Sequence, residues 1–106
     1  MAEVELIDSD DAEVDIGDEV VIRLRENGTT GYVWSVRELG AGLELISNEF
    51  VPPSVQQVAG AAGERLVRVR VVDAVSASVV LEHARPWEAA PIEQRRVRVT
   101  VRGQPA

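Results

Sequence analysis

An all-β fold, an immunoglobulin-like antiparallel sandwich of two sheets, is what this sequence predicts, and three observations predict it. Valine-rich runs alternate with a period of two, the signature of half-buried strands. Turn-forming residues punctuate those runs at roughly the 8–12-residue spacing of sandwiches and barrels. No segment carries a helical stripe of apolar residues. Roughly seven short strands then fill a chain of 106 residues and pack as two layers around one core.

The clearest strand is Leu66 to Val71, with Val67, Val69 and Val71 on one face and Arg68 and Arg70 on the other. Arg96 to Arg102 repeats the pattern with Val97, Val99 and Val101 inward. Val20 to Arg25 alternates too, with Ile22 and Leu24 as core candidates. Weaker strands are expected at Val4–Ile7, Val14–Ile16, Tyr32–Arg37, Leu43–Phe50 and Ser76–His83. Gly17-Asp18, Asn27-Gly28, Gly40-Ala41-Gly42, Pro52-Pro53, the 60–63 stretch and Pro86 supply the turns. The antibody-type Cys…Trp…Cys mark is absent, because the chain has no cysteine.

Composition narrows the function classes. A length of 106 residues fits one domain, 1–106, with 103–106 as a frayed tail. Eleven basic and eighteen acidic residues leave a net charge of −7, and every cation is an arginine. So acidic a chain lacks the basic face that nucleic acid requires. No apolar run approaches the roughly 20 residues that cross a bilayer, so no membrane partner is expected. Without cysteine, disulfides, thiolate metal sites and cysteine nucleophiles are excluded. The acidic start Met1 to Glu5 does not read as an export leader, and localisation stays open between the cytoplasm and a mature exported form. The free protein is expected to be a monomer. Residues 1–19 hold nine carboxylates and no cation, whereas 95–102 hold four arginines and no acid. Such segments either pair across neighbouring strands and help set register, or form two separate solvated faces.

Catalytic chemistry has little to work with. The single histidine, His83, has no cysteine partner and no serine in a G-x-S-x-G elbow, so no nucleophile–base pair can form. It reads as a structural or rim residue, since no second ligand stands at metal spacing. Asp10-Asp11 falls in what reads as a flexible acidic lead-in, and Asp8-Ser9-Asp10 lacks the glycine and closing glutamate of a calcium loop. The 60–63 stretch is followed by no lysine and no helix, so it is not a phosphate cradle. No catalytic residue, metal or other cofactor is expected, and the protein is not read as an enzyme.

The uncommon residues gather in three loops. Asn27-Gly28-Thr29-Thr30-Gly31-Tyr32 lies between two expected strands, with two glycines for unusual backbone angles and two threonine hydroxyls that can reach a partner. From spacing alone it also reads as an Asn-Gly hairpin turn, although four intervening residues exceed what that turn needs. Arg85-Pro86-Trp87 sets a fixed backbone between an arginine fork and the largest apolar side chain, the types most enriched at binding hot spots. It reads equally as a core tryptophan closing one end of the sandwich. The third loop, 58–64, is built of small residues that permit close backbone approach, or simply form a hairpin tip.

Taken in chain order, these motifs resemble the chagasin family of inhibitors of papain-type cysteine peptidases. That family carries N-P-T-T-G-[YF], G-x-G-G and R-P-[WF]; here they stand as Asn27-Gly28-Thr29-Thr30-Gly31-Tyr32, Gly60-Ala61-Ala62-Gly63 and Arg85-Pro86-Trp87. Tyr32-Val33-Trp34 and Asn48 to Pro53 resemble flanking parts of the same pattern, so the likeness covers Val14 to Val101. The resemblance implies a reversible, tight-binding inhibitor whose loops 27–32, 58–64 and 85–88 converge into a wedge that occludes a papain-like cysteine peptidase. It places Thr29 nearest the enzyme's cysteine and histidine, 60–63 along the non-primed groove, and Arg85 and Trp87 on the far wall. Gly28 replaces the family's proline and Ala62 one of its glycines. The first change implies a less pre-organised loop and the second a weaker groove contact. A non-inhibitory adhesion or scaffold module is the competing reading, and a small-molecule or metal-binding β domain has no constellation behind it.

Overall fold

Eight strands form two four-stranded sheets whose inner faces enclose a valine-rich core. The computed structural model describes residues 2–7, 9–52, 63–73 and 76–102. The strands are β1 (Glu3–Leu6), β2 (Asp11–Val14), β3 (Glu19–Glu26), β4 (Val33–Leu39), β5 (Leu43–Val51), β6 (Gly63–Val71), β7 (Ser76–Ala84) and β8 (Glu93–Val101). One sheet has the order β1-β3-β6-β5, the other β2-β8-β7-β4. No helix occurs among the described residues.

Alternation explains the layers. Val20, Ile22 and Leu24 on β3 and Val67, Val69 and Val71 on β6 are buried, and face Val79 and Leu81 on β7 and Val97, Val99 and Val101 on β8. Arg68, Arg70, Arg96 and Arg98 take the outward phase. β-Branched side chains suit this role because they are stiff and pack well on a pleated surface. Each such burial contributes roughly 1.5–3 kcal/mol in transfer free energy.

The four central pairings are antiparallel, as expected, but the two N-terminal strands join the sheet edges in parallel. β1 lies along β3 with Glu3 opposite Glu19, and β2 lies along β8 with Asp11 opposite Arg98. Like charges facing each other are costly. Here the Arg68 guanidinium sits between Glu3 (2.8 Å) and Glu19 (3.5 Å), and Arg23 bridges Glu5 (2.9 Å) and Glu64 (3.1 Å). Both guanidiniums are held above the usual arginine range, Arg68 chiefly by its hydrogen bond to Glu3 and Arg23 chiefly by its hydrogen bond to Glu5. The acidic first segment and the basic last one also meet directly. Arg95 pairs with Asp10 at 2.7 Å and Arg102 with Asp15 at 3.4 Å.

Three local expectations need correction. The acidic lead-in is ordered: Asp11 opens β2, and the Asp10 carbonyl accepts the Arg98 amide at 2.7 Å. The second strand ends at Val14 instead of spanning Val14–Ile16, because the amide of Asp18 turns back to the Asp15 carbonyl and leaves Ile16 exposed. β6 and β8 begin three residues earlier than their valine runs suggest, at Gly63 and Glu93, because pairing with β3 and β7 extends the ladders through polar positions. The expected tail at 103–106 lies outside the described residues.

Asp18 closes the β2–β3 turn. Its buried carboxylate accepts the backbone amides of Asp15 (2.9 Å) and Ala2 (2.8 Å). The Asp15 bond, then the Ala2 bond, holds its pKa below the ordinary aspartate value of about 3.9. A carboxylate depressed by folding contributes stability above that ordinary value, and this contribution disappears as pH falls through the folded value. Urea titrations across the acid range test it. Asp18→Asn is expected to be less stable than wild type at pH 7, with the difference shrinking below about pH 4; a difference independent of pH would contradict this account.

Candidate functional site

Strand direction gathers the chemically distinctive loops at one pole. β3 ends at Glu26, β5 ends at Val51 and β6 begins at Gly63, which stands opposite Glu26 in register. In the other sheet β4 begins at Val33 opposite Ala84, and β8 begins at Glu93 opposite His83. Residues 27–32 and 85–92 therefore leave the sandwich at the same end, where β5 also finishes and β6 starts. Of the second expected contact stretch, Gly60, Ala61 and Ala62 lie outside the described residues, as do 53–59; Gly63 is the buried first residue of β6.

The 27–32 stretch is not a hairpin. β3 and β4 belong to different sheets, so no backbone ladder joins the two feet of the loop. Side chains hold them instead. Glu26, only 3% exposed, accepts the Trp34 backbone amide on Oε1 at 2.7 Å, and the Trp34 indole N–H donates to the Arg25 carbonyl at 3.0 Å. Arg65 from β6 completes the arrangement, donating to Glu26 Oε2 at 2.7 Å and Oε1 at 3.2 Å, and to Asn48 Oδ1 at 3.2 Å. Its guanidinium lies 5.6 Å from the centre of the Phe50 ring. That ring in turn lies close to two glycines. A Cβ on Gly28 would come within 3.3 Å of it and one on Gly63 within 2.8 Å. Phe50 thus touches the foot of the first loop and the start of β6 together.

Within the loop, hydrogen bonds supply order around Gly28. Asn27 Oδ1 accepts both the Thr29 amide (3.0 Å) and the Thr29 hydroxyl (2.7 Å), an Asx-turn arrangement. The Thr30 hydroxyl donates to the Asn27 carbonyl at 3.0 Å and accepts the Tyr32 amide at 3.3 Å. The loop with Gly28 is therefore internally tied, and the rigidity expected to be lost is in part provided by Asn27 and Thr30. Thr29 remains exposed, with lone pairs on its hydroxyl oxygen still available.

Arg85 binds the first loop to the third. Its Nε donates to the Thr30 carbonyl at 2.9 Å and its Nη1 pairs with Glu88 at 3.2 Å, while its guanidinium stacks 4.1 Å from the Tyr32 ring centre and 5.9 Å from that of Trp87. Gly31 has φ of +82°, and a Cβ there would lie 2.8 Å from the Trp87 ring. Trp87 is 72% exposed, so it does not close the core; Trp34, 3% exposed, is the core tryptophan. His83 lies beneath this edge, stacked on Trp34 with centroids 4.6 Å apart and met edge-on by Tyr32 at 5.7 Å. The result is a continuous series of flat groups, Trp34, His83, Tyr32, Arg85 and Trp87, running from core to tip. No cluster of three or more metal-ligating side chains occurs among the described residues.

Glu26, Arg65 and Phe50 were not among the residues the sequence singled out. A signal existed for two of them. Glu26 follows Val20, Ile22 and Leu24 in the inward phase of β3, and Arg65 precedes Val67 in the inward phase of β6. Opposite charges at inward positions beside a loop are candidates for a buried pair. Phe50 gave no such signal, because the irregularity between Leu45 and Ser47 shifts the phase of β5.

The contact between Gly31 and Trp87 generates a test. Gly31→Ala is expected to lower stability by about 1–3 kcal/mol, because alanine at positive φ is strained and its Cβ meets the indole. Urea unfolding gives the loss, and tryptophan fluorescence should report a moved Trp87; an unchanged midpoint and spectrum would contradict the packing described.

Comparison with known proteins supports one assignment. The profile described as the chagasin family peptidase inhibitor I42 matches residues 13–101. Among solved structures, the chain is similar to the cysteine protease inhibitor EhICP2 from Entamoeba histolytica, at 22% identity over 95% of this chain and 96% of that chain, with a TM-score of 0.77. It is similar also to ICP of Leishmania mexicana, at 26% identity over 89% and 88% of the two chains, with a TM-score of 0.59. PbICP-C, solved in complex with falcipain-2, shares 16% identity over 94% of this chain and 89% of that chain, with a TM-score of 0.58. EhICP2 and PbICP-C, at such identities, attest the fold alone. No curated protein sequence matches the chain. The family profile nevertheless spans most of its length, and this chain belongs to the chagasin family of peptidase inhibitors.

Proposed function

We propose that the chain is a reversible inhibitor of papain-like cysteine peptidases, occluding the active-site cleft with loops 27–32, 58–64 and 85–88. Family membership supports the class, and the names of the similar structures support the target. EhICP2 is a cysteine protease inhibitor, and PbICP-C was solved with falcipain-2. The observation that carries the reading is the interlocked edge, in which Arg85 ties Thr30 and Tyr32 to the third loop while Thr29 and Trp87 stay exposed.

The mechanism follows from what that edge offers. Thr29 stands at the turn of the first loop with its hydroxyl proton committed to Asn27, so it presents lone pairs to donors in the catalytic centre. Polar groups there would be left unpaired by a purely apolar plug, at a cost of about 1–3 kcal/mol each. Residues 60–63, small and glycine-flanked, suit backbone-to-backbone contact along the non-primed groove. Trp87 serves as the anchor on the far wall and can bury about 200 Å² against an aromatic surface. Arg85 has its donors turned toward Thr30 and Glu88, so it acts by holding Trp87 and the first loop in one geometry. Pre-organisation of this kind raises affinity by lowering the ordering cost of binding. Occlusion without a scissile bond in cleavable position keeps the inhibition reversible.

Titration of the purified chain against papain, following substrate hydrolysis, tests the reading directly. Inhibition is expected; its absence at tens of micromolar would favour a non-inhibitory adhesion or scaffold module. Thr29→Ala and Trp87→Ala are each expected to weaken inhibition by at least about tenfold, the loss of roughly 1.4 kcal/mol, with the melting temperature nearly unchanged. Arg98→Ala, in the middle of β8 and on its outward face, should leave inhibition unaltered.

A further inference from the structure

We infer that the buried Glu26–Arg65 pair is the positioning device of the inhibitory edge, setting how long a bound peptidase is retained. The inference rests on the reading above and adds to it two residues that lie outside the three proposed contact loops. Its basis is topological. A loop that passes from one sheet to the other has no ladder between its feet, and here the amide of Trp34 at the far foot is held by the Glu26 carboxylate at the near one. Both carboxylate oxygens are engaged by Arg65, which also reaches Asn48 and covers Phe50. Through that ring the same guanidinium is coupled to Gly28 in the first loop and to Gly63, where the second contact stretch rejoins the sheet.

A buried ion pair is a poor source of net stability, since desolvation offsets most of the attraction. Apolar residues at these two positions would continue an inward phase that holds valine, leucine and isoleucine at 20, 22, 24, 67, 69 and 71. What apolar residues cannot do is accept the Trp34 amide. The charge on Glu26 makes that acceptor strong, and Arg65 fixes its direction. Position 28 is glycine, the residue that restrains the backbone least. Restraint on this loop accordingly comes from its feet and from Asn27.

Two double variants of the full chain separate positioning from stability. Glu26→Leu with Arg65→Met removes the pair and the acceptor; Glu26→Gln with Arg65→Met removes the charges but keeps an oxygen for the Trp34 amide. Both avoid the unpaired buried charge that either single change would leave, so both should melt closer to wild type than Glu26→Leu or Arg65→Met alone. Dissociation from papain, followed by displacement kinetics, is expected to be at least about tenfold faster for the leucine double variant, with association changed by less than about threefold. The glutamine double variant should recover most of that loss. Equal dissociation rates for the two doubles, or rates that follow melting temperature across the whole set, would overturn the proposal. Amide exchange supplies a readout independent of any peptidase. The leucine double variant should exchange faster at Thr29, Thr30 and Trp34 while β7 and β8 keep wild-type protection; uniform acceleration, or none, would overturn it. If the wild-type chain fails to inhibit papain, the choice of partner falls, and exchange alone decides the positioning role.

Discussion

The shape of the edge formed by residues 27–32 and 85–88 depends on one constraint: the loop at 27–32 passes between sheets, so its feet have no backbone partners in each other. A hairpin of the same length would inherit its order from the ladder below it. This loop must be ordered by side chains, and the structure supplies them in three places. Glu26 holds the Trp34 amide, the Trp34 indole holds the Arg25 carbonyl, and Arg85 holds the Thr30 carbonyl from the opposite side. Each bond satisfies a backbone group in or beside the crossover, which is why polar and charged groups sit so close to an otherwise apolar interior.

Flat groups carry that order outward. Trp34 is anchored in the core, His83 lies on it, Tyr32 meets His83, and the Arg85 guanidinium covers Tyr32 and approaches Trp87. Rings and guanidiniums have few internal rotations, so a stack of them transmits position with little entropy to lose. An exposed tryptophan at the end of a flexible loop would have to be immobilised on binding. Trp87, resting against Gly31 and beside Arg85, is already close to one arrangement. An edge ordered in this way before contact is what the proposed reversible inhibition requires.

The other pole of the sandwich is built for a different purpose. There Asp18 gathers the amides of Ala2 and Asp15, and the amides of Glu19 and Val71 bond to Ala2 and Asp18 carbonyls, fastening the N-terminal strand to β3 and β6. Charge does similar work along the edges, where acids of β1 and the 10–15 segment meet arginines of β3, β6 and β8 and Arg102 just beyond it. With eighteen carboxylates and eleven arginines, the chain uses cations where two acids would otherwise face each other, as at Glu3, Arg68 and Glu19. Both sheet edges nearest the N-terminus are closed by short parallel strands secured in this way, which limits the unpaired edge available for association.

By itself the sequence determined the strand pattern, the inward valines of β3, β6 and β8, and the motifs that mark the family, because period-two burial and short loop signatures are local properties of a chain. It left open whether the acidic first segment and the arginine-rich last one pair or stay apart; the structure joins them through Asp10–Arg95 and Asp15–Arg102. Only the tertiary structure decided that β1 and β2 run parallel to their neighbours, that 27–32 crosses between sheets, and which tryptophan is buried. It alone brought Glu26 and Arg65, 39 positions apart, onto one carboxylate and turned Arg85 inward onto Thr30. Pairing of distant strands, and the partners it delivers to a buried polar group, depends on how two sheets are stacked, and no local period in the chain encodes that.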